Sequence, residues 1–308
     1  MAQFRRIKRP VSGVLLLDKP AGISSNQALQ QVKRLYAAEK AGHTGSLDPF
    51  ATGLLPLCFG EATKFSHFLL DADKAYEATL HLGATSSTGD TEGEIVTYGA
   101  VTASREQVLA TLSQFLGSIS QVPPMYSALK HQGRALYEYA RAGVEIERAP
   151  RQIWIRSLEL ESYDGTHMRI RVACSKGTYI RTLAEDIGRA LGCGAYLTQL
   201  RRTLTGGFTL AGAVTVAQLE AMEQAERDAC LLPADALLRD FPEVALDEAS
   251  AHYFCNGQPV WKSGVGQAEN LRVYDAAQRF IGLGEAVGDG RVAPRRVVRQ
   301  AAESEKNT

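Results

Sequence analysis

Residues 42–53 read Gly-His-Thr-Gly-Ser-Leu-Asp-Pro-Phe-Ala-Thr-Gly, and the surroundings of Asp48 in this segment are the most informative feature of the chain. Three glycines and Pro49 flank the only carboxylate of the segment. Glycine permits backbone conformations and close approaches that other residues do not, and proline fixes its own φ angle. The pattern predicts a sharp loop that aims Asp48 in one direction, as a catalytic carboxylate requires. A helix cap or an ordinary Asp-Pro turn explains the same residues.

The glycines of this segment also raise the question of phosphate binding. A P-loop ends in Gly-Lys followed by Ser or Thr, whereas this segment continues as Ala51-Thr52-Gly53-Leu54. Because the lysine is missing, we expect no nucleotide cofactor.

The composition is typical of a folded protein with one large and one small domain: 308 residues, of which 45% are hydrophobic and 22% charged. No apolar run approaches the roughly 18 residues of a membrane span. The apolar residues 14–17 end at Asp18 and do not extend into a signal-peptide core. We therefore expect a cytoplasmic protein without membrane contact. The five cysteines form no Cys-x-x-Cys pair, which argues against disulfides and zinc.

Charge is unevenly distributed along the chain, although the net charge is zero. Residues 1–60 contain eight Lys/Arg and three Asp/Glu, and residues 165–206 contain seven and two, so each segment carries a net charge of +5. Residues 213–250 contain two basic and nine acidic residues, a net charge of −7. Local charge decides whether phosphates are attracted, so the basic segments are compatible with RNA. Solvated helix faces would produce the same pattern.

Alternating and helical patterns predict a mixture of strands and helices. Apolar–polar alternation predicts strands at 76–82, 153–161 and 168–174, and capping residues and apolar spacing predict helices that begin near Ser24, after Ser104 and at Thr178 and Val214. Residues 121–150 interleave basic residues with tyrosines, a composition that suits phosphates and unstacked bases but also an ordinary helical hairpin. Beyond Leu246, short strands separated by turn residues predict a small β-barrel.

Several blocks of sequence resemble the bacterial TruB family of tRNA pseudouridine synthases, in the family's order and over nearly the whole chain. Two of these blocks are Ala41-Gly-His-Thr-Gly-Ser-Leu-Asp48-Pro49 and Gly60-Glu-Ala-Thr-Lys64-Phe65. The other matching blocks are Gly13-Val-Leu-Leu-Leu-Asp18-Lys19-Pro20, Asp73-Lys74-Ala75-Tyr76, Met125-Tyr-Ser-Ala-Leu-Lys130, Cys174-Ser-Lys-Gly-Thr-Tyr179-Ile-Arg181-Thr182, Leu200-Arg201-Arg202 and Gly290-Arg-Val-Ala-Pro-Arg-Arg296.

The resemblance implies an α+β pseudouridine synthase fold, in which helices flank a mixed, mostly antiparallel sheet. It implies a catalytic domain at residues 1–248, with an RNA-contacting insertion at about 121–150. Residues 249–308 would form a small PUA-like β-barrel that binds RNA. The expected substrate is the T stem-loop of tRNA and the expected target is uridine 55, with no cofactor and no metal. We expect a monomer.

The resemblance also assigns roles to individual residues. Asp48 would be the nucleophile, Arg181 would keep its carboxylate ionised, and Tyr76 would pack on the flipped uracil and move a proton from C5. Tyr179 and Leu200 would form the other walls of the base pocket. His43 would fill the gap left by the flipped base, and the pair Lys19 and Pro20 would brace the catalytic loop.

Two other functions fit parts of the sequence. A non-catalytic tRNA-binding or tRNA-folding protein could use the same scaffold, and it would tolerate replacement of Asp48 by Asn. A hydrolase of small glycosides would need a second carboxylate near Asp48 and would not need RNA.

Overall fold

The computed structural model describes residues 8–299, so Arg5 and Arg6 of the basic N-terminal segment and residues 300–308 of the expected C-terminal domain lie outside the described residues. In chain order the strands are β1 Gly13–Lys19, β2 Ala41–His43, β3 Thr52–Phe59, β4 Lys74–Leu82, β5 Ala84–Ser86, β6 Ile95–Thr97, β7 Gly117–Gln121, β8 Lys130–His131, β9 Arg134–Ala135, β10 Arg151–Tyr163, β11 His167–Cys174, β12 Ala195–Thr205, β13 Phe208–Thr209, β14 Glu243–Ala245, β15 Val260–Trp261, β16 Leu271–Tyr274, β17 Phe280–Val287 and β18 Arg291–Val297. The α-helices are α1 Ser25–Leu35, α2 Ser66–Leu70, α3 Arg105–Ser113, α4 Leu136–Arg141, α5 Ile180–Ala190, α6 Val216–Ala221, α7 Gln224–Ala229 and α8 Glu248–Cys255.

A large sheet forms the centre of the N-terminal unit. Within residues 8–299 it has nine strands along the path β1-β3-β12-β4-β11-β10-β7, with β2 beside β3 and β13 beside β12. Only β3 and β12 pair in parallel, and the other neighbours in this sheet are antiparallel. This is the mixed, mostly antiparallel sheet that the sequence predicts.

One face of this sheet carries the main hydrophobic core. Along β4 every second side chain is buried, from Lys74 to Leu82, and the intervening ones are partly exposed. The buried side chains pack with those of α1, α3 and α5 in one cluster. Burial of apolar area is the dominant stabilising contribution in such a layer, and it fixes α5 against the sheet next to the loop that carries Asp48.

A second, smaller sheet forms the C-terminal unit. Its five strands in the described part of the chain follow the order β14-β16-β17-β18-β15 and make a half-barrel around a separate apolar core that includes Phe254 of α8. The predicted fold class is thereby confirmed. The strand β14 belongs to this sheet because it pairs in parallel with β16. The sheet therefore begins at Glu243, a few residues before the domain boundary of 248/249 that the sequence predicts.

The two units are joined by specific contacts. The ammonium group of Lys64 donates a hydrogen bond to the Val297 carbonyl over 2.8 Å, and the rings of Phe65 and Phe280 meet edge to face with centroids 5.6 Å apart. The Tyr274 hydroxyl donates to the Asp235 carboxylate over 2.6 Å. The contacts of Lys64 and Phe65 therefore hold the C-terminal sheet against the segment that follows β3.

The expected single helix from Val214 to Glu226 is wrong. The structure contains α6 and α7, and Met222 between them has the extended angles φ −78° and ψ 149°. Glu223 then caps α7 through a reciprocal pair of hydrogen bonds with Glu226. Such capping carboxylates favour a new helix start over continuation of the old helix.

Candidate active site

The loop between β2 and β3 carries Asp48 and depends on two glycines. Gly45 and Gly53 have φ angles of +122° and +102°, which lie in the region that favours glycine. A Cβ atom on Gly53 would lie 2.3 Å from the main-chain oxygen of Arg202 in β12. Glycine at this position therefore allows β3 and β12 to approach each other. This close pairing fixes the point at which the loop of Asp48 enters β3.

Asp48 is paired with Arg181 from the first turn of α5. The Nε atom of Arg181 lies 2.9 Å from one carboxylate oxygen, and Nη2 lies 3.2 Å from the other. Two parallel contacts of this kind fix both the position and the plane of the carboxylate. The side chain of Arg181 is 5% exposed, whereas that of Asp48 is 37% exposed, so the carboxylate is the part of the pair that a ligand can reach.

Arg181 is itself held by the main chain on two sides. Nη1 donates a hydrogen bond to the Thr88 carbonyl over 2.9 Å, and Nη2 donates to the Tyr126 carbonyl over 2.7 Å. The carboxylate of Asp90 lies 3.6 Å from the Arg181 Nε atom on the other side. The guanidinium is thus a buried fixed charge with few alternative positions.

The surroundings change the acidity of the Asp48 carboxyl. Burial of the site raises its pKa above the ordinary value, and Asp90 raises it further, whereas Arg181 and Lys19 oppose the increase. Burial disfavours the charged form and a neighbouring cation favours it. Arg181 therefore favours the ionised form of Asp48.

A pocket of about 350 Å³ opens beside Asp48. This volume is at the lower end of the roughly 300–1,000 Å³ that is usual for small-ligand sites. Residues from β4, β12, α5 and the insertion surround it. Of the residues selected from the sequence, Asp48, Tyr76, Tyr179, Arg181 and Leu200 all line this pocket.

Tyr76 lies in the wall of the pocket next to Arg202. Both are buried and lie opposite each other in the pairing of β4 with β12. Burial raises the pKa of the Tyr76 hydroxyl, and the guanidinium of Arg202 opposes this increase. A cation beside the hydroxyl favours its phenolate form.

Arg202 also supports the loop of Asp48. Its Nε atom donates to the Leu54 carbonyl over 2.7 Å, and its two Nη atoms donate to the carbonyls of Ser46 and Gly45 over 3.4 Å and 3.2 Å. Arg202 belongs to the matching block Leu200-Arg201-Arg202, but the resemblance assigns it no role. The signal was available, because strand alternation places residues 200 and 202 on the same face.

Replacing Arg202 by Met is expected to lower the free energy of unfolding by about 3 kcal/mol, because the carbonyls of Leu54, Gly45 and Ser46 lose a charged donor and each such hydrogen bond contributes about 1 kcal/mol or more. Urea unfolding measures this change. The matched control is the neighbouring Arg201→Met, which removes a half-exposed ion pair with Asp18 and should cost less than about 1 kcal/mol. Equal losses in the two variants would contradict this role of Arg202.

His43 lies in a neighbouring cavity on the other side of Asp48. This cavity has a volume of about 580 Å³ and also contains Asp90 and residues of the insertion, among them Tyr137 and Arg141. Burial lowers the pKa of His43, so the imidazole is neutral near pH 7. Its Nδ1 atom is buried without a hydrogen-bond partner among the described residues.

Lys19 and Pro20 lie beneath the loop. The buried ammonium group of Lys19 donates to the carbonyls of Pro20, Ile23 and Pro49 over 2.8, 2.7 and 3.4 Å. Burial lowers the pKa of Lys19 to about 8, although Asp48 opposes this change. The contact with Pro49 connects the end of β1 to the residue after Asp48.

Other polar residues at the site are not predicted from the sequence. Asp90 shares Arg181 with Asp48, but it lines the neighbouring cavity and not the 350 Å³ pocket. Lys74 lines the pocket and donates hydrogen bonds to the carbonyls of Leu69, Leu70 and Ala72. In residues 8–299, no group of three or more His, Cys, Asp or Glu side chains is placed to hold a metal ion. No helix in the described part of the chain is long and apolar enough to cross a membrane.

Comparisons with known proteins identify the family of the chain. Residues 33–180 match the family described as TruB family pseudouridylate synthase (N terminal domain). Residues 181–239 match the tRNA pseudouridylate synthase B C-terminal domain, and residues 242–298 match the family described as Pseudouridine synthase II TruB, C-terminal. Fold, pocket and family matches together define the class of protein, an RNA pseudouridine synthase. The chain belongs to the TruB family.

Relatives cover the chain almost completely. The tRNA pseudouridine synthase B of Methylobacillus flagellatus is 61% identical over 98% of this chain and 100% of that protein. The protein of the same name from Nitrosospira multiformis is 57% identical over 95% of this chain and 97% of that protein. A solved H/ACA RNP bound to a substrate RNA containing 2′-deoxyuridine has the same fold, with a TM-score of 0.69 and 23% identity over 94% of this chain and 85% of that one.

Proposed function

We propose that this protein converts uridine to pseudouridine at position 55 in the T loop of tRNA, with Asp48 as the nucleophile. The observation that carries the proposal is the Asp48–Arg181 pair, in which a buried guanidinium holds a partly exposed carboxylate at the edge of a base-sized pocket. One fixed, ionised carboxylate is the group that nucleophilic catalysis on a nucleoside requires.

The reaction moves a glycosidic bond within one nucleotide. The bond between C1′ and N1 breaks, the base turns, and a bond forms between C1′ and C5. C5 loses its hydrogen as a proton and N1 gains one, so substrate and product have the same composition. Asp48 can attack C1′ of the ribose or C6 of the base, and both routes need its ionised form. We assign the removal of the C5 proton to Tyr76, which lines the pocket.

The names of the relatives support tRNA as the substrate, and the family resemblance supports uridine 55. The insertion adds a physical argument, because the described residues 122–150 lie between the paired strands β7 and β10 beside both cavities. Arg141 lies over the ring of Tyr137, with 5.4 Å between the guanidinium carbon and the ring centroid. Cations and aromatic rings combined in this way suit phosphates and unstacked bases. Extrusion of the target base costs a few kcal/mol of stacking, which such contacts offset.

Tritium release from tRNA transcripts that carry [5-³H]uridine tests the proposal. C5 becomes a glycosidic carbon, so each turnover must release its hydrogen to water. We expect release from wild-type tRNA and from an isolated T-arm hairpin, and none from the transcript in which uridine 55 is replaced by cytidine. Release that persists in the cytidine transcript would refute position 55. Binding of tRNA without any release would favour the non-catalytic tRNA-binding alternative.

Replacing Tyr76 by Phe is expected to lower kcat by roughly 10²-fold with little change in KM, because general acid–base groups contribute about 10²–10⁴-fold while the ring that packs on the base remains. Steady-state tritium release measures both constants. Tyr196→Phe is the matched control, since Tyr196 is equally buried (8% exposed) on β12 and does not line the pocket. An unchanged kcat for Tyr76→Phe would show that the Tyr76 hydroxyl takes no part in the reaction.

The remaining expectations concern organisation and location. We propose residues 1–248 as the catalytic region, the C-terminal half-barrel as an additional RNA contact, and a monomer that works in the cytoplasm, where tRNA is modified. Sedimentation of the free protein tests the monomer. The effect of removing the half-barrel on the affinity for full-length tRNA, compared with the T-arm hairpin, tests the RNA contact.

A further inference from the structure

Gln121 connects the insertion to the site through an unusual contact. It is the last residue of β7, directly before the insertion, and its side chain is buried. Its side-chain oxygen accepts a hydrogen bond from the Tyr179 amide over 2.8 Å, and its side-chain nitrogen donates to the Tyr179 carbonyl over 3.1 Å. One amide thus satisfies both main-chain groups of a single residue.

The residue held in this way occupies a sensitive position. Tyr179 is the N-cap of α5, and its own side chain forms no capping hydrogen bond. At most helix starts the side chain of a Ser, Thr, Asp or Asn cap residue accepts a hydrogen bond from an amide of the first turn. Gln121, which is 58 residues away in the chain, instead holds the main chain of the cap residue. Tyr179 lines the pocket, and Arg181, the partner of Asp48, follows two residues later.

A second contact leads from the insertion to the same helix start. The Tyr126 carbonyl, five residues after Gln121, accepts the 2.7 Å hydrogen bond from Arg181 Nη2. Two contacts therefore connect the base of the insertion to the start of α5. Gln121 binds the main chain of Tyr179, and the Tyr126 carbonyl binds the side chain of Arg181. A displacement at the base of the insertion would move Tyr179 and Arg181 together.

We propose that Gln121 is a positioning residue, which ties the base of the insertion to the start of α5 and so sets Tyr179 and Arg181 around Asp48. This inference rests on the proposed function. Gln121 itself contacts neither the pocket nor Asp48, and it acts through the main chain of Tyr179. RNA that binds along the insertion then acts on the geometry of the catalytic pair through this connection.

Two substitutions separate this role from simple packing. Gln121→Met keeps most of the side-chain volume and removes both hydrogen bonds, whereas Gln121→Asn keeps the amide but shortens its reach by one methylene. The matched control is Gln152→Met, on the neighbouring strand β10, where an exposed glutamine accepts a hydrogen bond from Ser118. Kinetics on tRNA, tRNA affinity and thermal unfolding are measured for all four proteins.

If Gln121 positions the pair, both Gln121 variants lose roughly tenfold or more in kcat, while KM and the tRNA Kd stay within about twofold and Gln152→Met behaves as the wild type. If the side chain only fills space, Gln121→Met keeps the wild-type kcat and Gln121→Asn alone is less stable. That result would overturn the proposal, as would a loss of kcat that only follows the fraction of unfolded protein.

Hydrogen exchange on the free protein provides a readout that does not depend on activity. The Tyr179 amide should exchange faster in both Gln121 variants than in the wild type, and amides in the middle of α5 should not change. Unchanged exchange at Tyr179 would show that Gln121 does not hold its main chain and would overturn the proposal. This measurement needs no RNA, so it tests the role of Gln121 even if the wild type releases no tritium from tRNA. Absence of tritium release would refute only the proposed function.

Discussion

Asp48→Asn is expected to abolish tritium release from tRNA, with a loss of at least about 10⁴-fold in kcat, which is the scale found when a nucleophile is removed. Asparagine has nearly the same shape and can still accept a hydrogen bond from Arg181, so the loop should keep its conformation. The amide is not a nucleophile, however, and cannot form the covalent intermediate. The tRNA Kd should change by less than about threefold, because the substitution removes neither a cation nor an aromatic ring that could hold the RNA.

Asp90→Asn is the matched control for this prediction. Asp90 also lies against Arg181, but it lines only the neighbouring cavity and accepts hydrogen bonds from the Thr88 hydroxyl and the Glu92 amide. We expect this variant to retain measurable activity. Full tritium release by Asp48→Asn would refute Asp48 as the nucleophile. Loss of activity in Asp90→Asn but not in Asp48→Asn would transfer that role to Asp90.

Short-range sequence patterns predict many of the elements around the site. The capping box that begins α3 at Ser104 is present as expected, and the alternation of residues 76–82 corresponds to β4. The loop of Asp48 is predicted because glycine and proline restrict the backbone locally. Such features depend on neighbours within a few residues, so the sequence displays them directly.

The central strand β3 has no such pattern. Residues 53–59 are all buried, so alternation is absent, and Pro56 lies in the middle of the strand. A strand buried on both faces appears in the sequence only as an apolar run. Its pairing with β1 and β12 depends on segments far away in the chain, which no local pattern reveals.

The partners of the predicted site residues are hidden for a similar reason. The resemblance to the TruB family selects Asp48 and Arg181, but the contacts that fix them come from Gln121, Tyr126 and Arg202. Tyr126 acts through its carbonyl oxygen, and an identical oxygen exists at every residue. Gln121 lies two residues before Pro123-Pro124, a context that indicates a loop, and only the fold places it against Tyr179.

The second large effect concerns Arg181 and the pH dependence of the reaction. Arg181→Met should lower kcat by more than about 10²-fold, the scale for removing one fixed electrostatic contact in a site. Arg181→Lys keeps the charge but loses the two parallel contacts, so its activity should lie between those of Arg181→Met and the wild type. Arg189→Met, on the exposed side of the same helix, is the matched control.

The pH profile identifies the reason for this loss. With Asp48 as the proposed nucleophile, the rate should fall as the pH decreases through the pKa of Asp48, because a protonated carboxyl is not a nucleophile. Burial and Asp90 raise that pKa, while Arg181 and Lys19 oppose the increase, and the charges of Asp48 and Glu92 also interact. Removing the positive charge of Arg181 raises the pKa of Asp48 further, so the acid limb of kcat should move to higher pH in Arg181→Met. The shift should be smaller in Arg181→Lys. A lower rate with an unmoved limb in both variants would mean that Arg181 orients the carboxylate without controlling its ionisation.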